Sequence, residues 1–117
     1  MKFMLLIYLD EKCLTEQERA DCYQESSGLA HDLQTKGVFL GTSPLHSVQA
    51  AKSVRVRQGK RLITDGPFAE TREQLGGYFL VDVKNVETAV EIAGRIPGAR
   101  KGTVEVRPVV ELTGLPA

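Results

Sequence analysis

Residues 62–78 bring together the side chains of this sequence that are best suited to acid–base chemistry or ligand binding. The segment reads LITDGPFAETREQLGGY, with Asp65 at the end of an apolar run and Gly66, Pro67 and Phe68 directly after it. A turn alone explains aspartate, glycine and proline. It does not explain an aromatic residue followed by several polar side chains, so the segment is predicted to border a ligand pocket. The other ligand-binding candidates of this segment are Thr64, Glu70 and Gln74.

Asp65 and His46 are the two candidates for a catalytic acid or base. Apolar surroundings from Pro67 and Phe68 would favour the neutral form of Asp65, whereas backbone amides in a turn would favour its carboxylate. Both interpretations stay open. His46 is a candidate because an imidazole exchanges protons near neutral pH, although a loop histidine without a role is the more common case. His31, beside an aspartate on a predicted helix, is expected to be solvated.

Three further residues could line the pocket. Tyr23 and Ser26 are expected on the inward side of a helix, where both could hydrogen-bond a ligand, but Ser26 could equally be a small filler between helix and sheet. Arg55 alternates with Val54 and Val56, which are expected to face inward, and a guanidinium can hold a carboxylate through two hydrogen bonds. A solvated strand arginine is the simpler interpretation.

The first half of the chain predicts a strand followed by a long helix. Residues 2–9 form a nearly continuous apolar run, which is typical of a central strand. Thr15 and Glu18 have the spacing of a capping box, and Gly37 can end the helix in the left-handed conformation. The inward stripe of this helix is expected to comprise Tyr23, Ser26, Leu29 or Ala30, and Leu33.

The rest of the chain predicts a hairpin and a second strand–helix–strand unit. A second strand begins at residues 38–40, and residues 53–57 lead through the turn at Gln58-Gly59 into residues 61–64. Further strands are expected at residues 77–83 and 103–107, with a helix between them that Asn85 caps and Pro97 limits. The inward residues of that helix are expected to be Val86, Ala89, Val90 and Ala93.

Two strand–helix–strand units around a hairpin predict one α+β domain, residues 1–117, with a ferredoxin-like antiparallel sheet. Two helices cover only one face of such a sheet, while the strands carry apolar residues on both faces. A second copy of the chain is therefore expected to cover the other face, giving a homodimer through the sheet.

Composition limits the partners of this domain. Fifteen basic and fifteen acidic residues give a net charge of zero, which argues against a nucleic acid or an anionic membrane as partner. The apolar start is too short to span a bilayer and lacks a signal-peptide pattern, so a cytoplasmic location is expected. Cys13 and Cys22 have no metal-ligand spacing with the two histidines, and both are expected to be reduced thiols. No cofactor-binding loop motif is present in the sequence, so neither a metal nor a cofactor is expected.

Residues 62–78 closely resemble the signature of the DGPF proteins within the YCII-related family, and the likeness extends from residues 1–8 to residues 104–108. This resemblance implies a dimeric α+β barrel and no assigned reaction. Members of the wider family commonly carry a histidine on the first helix, facing the sheet, and here Ser26 occupies that place. The departure weakens a histidine–aspartate pair and leaves Asp65, with Ser26 and Tyr23 beside it, as the matched remnant.

Two hypotheses follow for the function. In the first, the protein is a cofactor-independent enzyme on a small organic molecule, with Asp65 as acid or base, His46 assisting, and Arg55 or Gln74 orienting the substrate. In the second, the same loop senses a ligand or docks a protein, because DGPF proteins are often associated with alternative sigma factors. A raised pKa of Asp65 near a pocket would favour the enzyme, and an exposed apolar patch formed by Phe68 would favour docking.

Overall fold

The computed structural model describes residues 1–116, which form a four-stranded sheet, a separate two-stranded hairpin and helices on one side of the sheet. Two short 3-10 turns lie at Glu11–Cys13 and Val48–Ala50. The main elements are β1 (Lys2–Leu9), α1 (Glu16–Thr35), β2 (Phe39–Pro44), β3 (Lys52–Arg57), β4 (Lys60–Asp65), β5 (Gln74–Asp82), α2 (Val86–Arg95), α3 (Gly98–Lys101) and β6 (Thr103–Pro108).

The four-stranded sheet has the order β2-β5-β1-β6, and each neighbouring pair in it is antiparallel. Helix α1 connects β1 to β2, and α2 with α3 connects β5 to β6. This arrangement is ferredoxin-like, so the predicted α+β fold is confirmed. The predicted domain ran to residue 117, which lies outside the described residues. None of the helices in residues 1–116 is long and apolar enough to cross a membrane.

Helix α1 begins and ends as predicted. The Thr15 hydroxyl accepts a hydrogen bond from the Glu18 amide at 3.1 Å, and the Glu18 carboxylate accepts one from the Thr15 amide at 3.0 Å. Gly37 has a φ of +76° just after the last turn. Leu29 and Leu33 are buried as expected, whereas Tyr23 is 47% exposed. Only the C-terminal half of α1 contributes buried residues to the core.

The charge of Glu18 should make stability depend on acid pH. The Thr15 amide, followed by the Lys101 ammonium, lowers the pKa of Glu18 from 4.5 to about 2. Its contribution to folding is therefore complete above pH 4.5 and is lost as the pH falls towards about 2. We expect Glu18→Gln, which keeps a capping side chain, to unfold more easily than the wild type at neutral pH and equally easily near pH 2.

Urea unfolding across this pH range is the measurement. Glu16→Gln is the matched control, because Glu16 lies in the same first turn but has no ion pair with any of residues 1–116. A stability difference for Glu18→Gln that is unchanged from neutral pH to about pH 2 would contradict the explanation.

The hydrophobic core lies between the sheet and the helices. Phe3 and Leu5 of β1 are completely buried, and Phe79 and Val81 of β5 are at most 1% exposed. Helix α2 adds its own buried face, but not the predicted one. Val86 and Val90 are 45% and 54% exposed, so their inward placement is wrong; the buried residues of α2 are Ala89, Ile92 and Ala93. Successive helical residues are rotated by about 100°, so Val90 points well away from the side that Ala89 buries.

The predicted hairpin is present but stands apart from the main sheet. Strands β3 and β4 pair around Gln58 and Gly59, which have φ angles of 52° and 75°. Val54 and Val56 are 58% and 61% exposed, so their expected inward placement is wrong. Because the hairpin forms its own sheet, no core lies beneath it. The radius of gyration of 15.9 Å exceeds the roughly 13 Å of a compact chain of this length, as a projecting hairpin requires.

The sheet face opposite the helices, here called the open face, is apolar. It is formed by Met4, Leu6, Tyr8, Tyr78 and Leu80, which alternate with the buried residues of β1 and β5 and are only partly buried. Leu6 lies opposite Tyr78, and Met4 lies opposite Leu80. The helices pack against the other face, where Phe3, Leu5, Phe79 and Val81 are buried.

Candidate functional site

A mainly apolar opening, here called the central cleft, lies where the hairpin joins the open face. It has a volume of about 560 Å³. Segments 45–53 and 67–75 form its two walls, and Tyr8 lies at the end of the sheet between them. His46, Pro67, Phe68 and Gln74 were predicted from the sequence and line this cleft.

Hydrogen bonds fix the 67–75 wall at both ends. Gly66 has a φ of +96°; its amide donates to the Ala51 carbonyl at 2.8 Å, and its carbonyl accepts from the Ser53 hydroxyl at 2.8 Å. At the other end, the side-chain amide of Gln74 donates through Nε2 to the carbonyls of Ala69 and Thr71 at 3.0 and 2.9 Å. Gln74 therefore closes the loop as well as lining the cleft.

The 45–53 wall is held by a carboxylate that sequence reasoning missed. Glu11 accepts hydrogen bonds from the Ser47 hydroxyl and the Val48 amide, both at 2.9 Å. These bonds fix the segment that carries His46. A glutamate just after a strand gave no signal of a partner 36 residues away. These two hydrogen bonds give Glu11 the role of holding the 45–53 wall in place.

Asp65 lies outside the central cleft. Its side chain is 85% exposed and forms an ion pair with the ammonium of Lys52, which does line the cleft. The carboxylate is thus exposed and paired with a cation rather than surrounded by apolar groups. Phe68, which was expected to desolvate it, is itself 82% exposed. In the described chain, Asp65 can act on the cleft through the position of Lys52.

Of the predicted site residues that line the central cleft, His46 is the one with an ionisable side chain. It also lines a neighbouring cleft of about 500 Å³, together with Tyr23 and Gln74. Among residues 1–116, its imidazole makes neither a hydrogen bond nor an ion pair. Such an imidazole is free to bind or to exchange a proton with a ligand.

Tyr23 and Ser26 line a different cavity, on the helix side of the sheet. This cavity has a volume of about 270 Å³ and also contacts Cys22 and Phe79. Asp65 lines none of the clefts described here, so it shares no wall with Ser26. The predicted grouping of Asp65 with Ser26 and Tyr23 is therefore not formed within one chain.

A polar cleft of about 680 Å³ lies on the outer side of the Asp65 loop, where Gly66 and Glu70 face Asp10. The Cys13 thiol and then the Lys12 amide hold the pKa of Asp10 below its usual range, and the Asp10 carboxylate in turn raises the pKa of Cys13. Cys13 is consequently a weak nucleophile at neutral pH.

The remaining predicted residues are on the hairpin, away from the clefts. Arg55 and Thr64 are both exposed, and neither lines a cleft described here. Cys13 and Cys22 are free thiols. Within residues 1–116, no three histidine, cysteine or acidic side chains come together in a way that could hold a metal ion.

Comparison with known proteins identifies the family of this chain. The sequence model of the YCII-related domain family matches residues 1–113. The chain is also 30% identical, over 114 residues, to an uncharacterized protein of Rhizobium meliloti (strain 1021). The match covers 93% of this chain and 92% of the relative. The chain belongs to the YCII-related domain family.

Proposed function

We propose that this protein binds a small organic molecule in the central cleft. The observation that carries the proposal is the cleft itself, because about 560 Å³ lies within the range of ligand pockets, roughly 300–1,000 Å³. Its walls are mostly apolar, and they are fixed by hydrogen bonds that the Glu11 carboxylate accepts and that the Gln74 side chain donates. A rigid, mainly apolar cleft with few polar groups is typical of a small-molecule site.

The chemistry that we propose for this site is proton transfer without a cofactor. His46 lines the cleft and has an unengaged imidazole, which supports it as the group that exchanges a proton. Asp65, the leading candidate from the sequence, is proposed to act through its ion pair with Lys52. Ser26 lines only the helix-side cavity and is left outside this reaction, and Tyr23 shares the neighbouring cleft with His46 but does not line the central cleft.

We also propose that two copies of the chain pack through their open faces. The support is the uncovered apolar centre of the sheet, together with the exposed side of the hairpin formed by Val54, Val56 and Ile63. Tyr8 belongs both to the open face and to the central cleft. A sheet-to-sheet dimer would therefore lie against the proposed ligand site.

A thermal-shift screen against a metabolite library tests the ligand proposal. A ligand present at about one hundred times its Kd stabilises the native state by roughly 2.7 kcal/mol, which is readily measured. We expect hits on the wild type to lose most of this shift in His46→Gln. His31→Gln is the matched control, because His31 is exposed on α1 and lines none of the clefts. Equal shifts in both variants would remove His46 from the site.

A second candidate function is supported by Phe68. This side chain is 82% exposed on a loop that hydrogen bonds hold in place, as a residue that docks a partner protein would be. In this alternative, the protein is a ligand-sensing or interaction module linked to sigma-factor-type regulation. An absence of hits in the screen, with wild-type stability retained in Phe68→Ala, would favour docking over ligand binding.

A further inference from the structure

The polar groups of the central cleft define the chemistry of its ligand, an inference that rests on the proposed binding function. Most of these groups are already engaged within the chain. Hydrogen bonds hold the side chains of Tyr8, Ser47, Ser53, Thr71, Glu73 and Gln74. Buried or engaged polar groups gain little from a ligand that must first break their bonds.

Two lining side chains remain open to a ligand. One is the unpaired imidazole of His46, and the other is the ammonium of Lys52. The Lys52 ammonium contacts Asp65, but the two side chains are 68% and 85% exposed. Exposed ion pairs contribute little to stability, so a ligand anion can replace the Asp65 carboxylate at low cost. Lys52 is therefore a cation at the edge of an otherwise apolar cleft.

The rest of the cleft wall requires an apolar ligand body. Its apolar members include Leu45, Val48, Ala50, Pro67, Phe68 and Leu75. Three of these, Leu45, Phe68 and Leu75, are large side chains that stay exposed in the chain without a ligand. A ring-sized apolar body would cover them, and one anionic group beside it would reach Lys52.

We infer that the central cleft takes a small monocarboxylate with an apolar body, whose carboxylate binds Lys52 in place of Asp65. The ligand gains a charge-assisted hydrogen bond at one end and apolar burial at the other. Asp65 is then a competitor for the same ammonium. Removing a competing carboxylate would strengthen ligand binding, whereas removing a catalytic or ligand-binding carboxylate would weaken it. A single substitution of Asp65 therefore distinguishes the two roles.

A titration with 2-naphthoate and its neutral analogue 2-naphthamide tests the inference. Binding is followed by two-dimensional NMR of the ¹⁵N-labelled protein, at the amides of Val48, Ala50 and Ala51 in the cleft wall. We expect 2-naphthoate to bind a few-fold more tightly than 2-naphthamide, and Lys52→Met to remove this preference. Lys60→Met is the matched control: it removes the same charge from the same exposed hairpin, at a position that lines none of the clefts.

Asp65→Asn provides an independent test, because it should change the affinity for 2-naphthoate in the opposite direction to Lys52→Met. Removing the competing carboxylate should tighten 2-naphthoate binding by a few-fold and leave 2-naphthamide unchanged. Weaker 2-naphthoate binding in Asp65→Asn, or equal losses in Lys52→Met and Lys60→Met, would overturn the inference. Both lysines are exposed, and the melting midpoints of the variants verify that each is folded.

The outcomes also separate this inference from the proposed function. If both probes shift the cleft amides with equal affinity, the anion preference is wrong and the ligand site stands. If neither probe shifts them at millimolar concentration, the carboxylate class is wrong. The neutral compounds of the thermal-shift screen, and their dependence on His46, then decide whether the cleft binds any small molecule.

Discussion

Leu80→Glu is expected to prevent the proposed packing of two copies of the chain through their open faces. Leu80 lies at the centre of the open face, opposite Met4 and beside Tyr78. In a two-fold packing of open faces the substitution occurs twice, and it brings two unpaired carboxylates into an apolar contact. We expect the dimer dissociation constant to rise by roughly one hundred-fold or more. Sedimentation equilibrium at several protein concentrations measures this change.

Val90→Glu is the matched control for this experiment. It introduces the same charge in place of an apolar residue, but on the exposed side of α2, where Val90 is 54% exposed. Its association should equal that of the wild type. Leu80 is only partly buried in the single chain, so circular dichroism should show both variants folded. A wild type that sediments as a monomer at high micromolar concentration would refute the dimer altogether.

The local signals in the sequence predicted most of the fold because each corresponds to a short-range interaction. The capping box at Thr15 and Glu18 is closed by two hydrogen bonds, and Gln58-Gly59 supplies the positive φ angles that a two-residue hairpin turn requires. Asn85 likewise accepts a hydrogen bond from the Thr88 amide at the start of α2. None of these features depends on the rest of the chain.

The placement of the hairpin could not be predicted in the same way. Alternation of Val54 and Arg55 indicates a strand with two unlike faces, but it does not identify the surface that covers the apolar face. Here no part of residues 1–116 covers Val54 and Val56. Sequence alternation was therefore interpreted as burial within the chain, although a contact between chains satisfies the same pattern.

The sequence predicted part of the candidate site, and it also contained a signal for Lys52, which was missed. Counting outward from a two-residue turn at Gln58-Gly59 pairs Lys52 with Asp65 across the strands, as the structure has it. Opposite charges at facing positions indicate an ion pair. This pairing would have favoured an engaged, exposed Asp65 over a desolvated one. The contact of Glu11 with Ser47 and Val48, in contrast, has no signal in the sequence.

Gly102→Ala is expected to destabilise the protein by about 3 kcal/mol or more. Gly102 separates α3 from β6, and a Cβ atom there would overlap the backbone carbonyl of Tyr8 on β1 and press on the side chain of Leu9. A backbone atom of a central strand cannot move aside as a flexible side chain does. The clash must therefore disturb the β1–β6 pairing, where Tyr8 lies opposite Thr103. Urea unfolding monitored by circular dichroism measures the loss.

Gly28→Ala makes the same chemical change but is expected to stabilise the protein. Gly28 lies in the middle of α1, and no atom beyond its own helix and chain neighbours lies within 4 Å of the position of its added Cβ. Alanine in a helix is favoured over glycine by roughly 0.5–1 kcal/mol, so this variant should be more stable than the wild type. Because both variants add one methyl group, the difference between them, less the helix-propensity gain of Gly28→Ala, measures the effect of the close approach of β1. A Gly102→Ala protein as stable as Gly28→Ala would mean that the start of β6 yields freely, and Tyr8 would then not be held rigidly at the end of the central cleft.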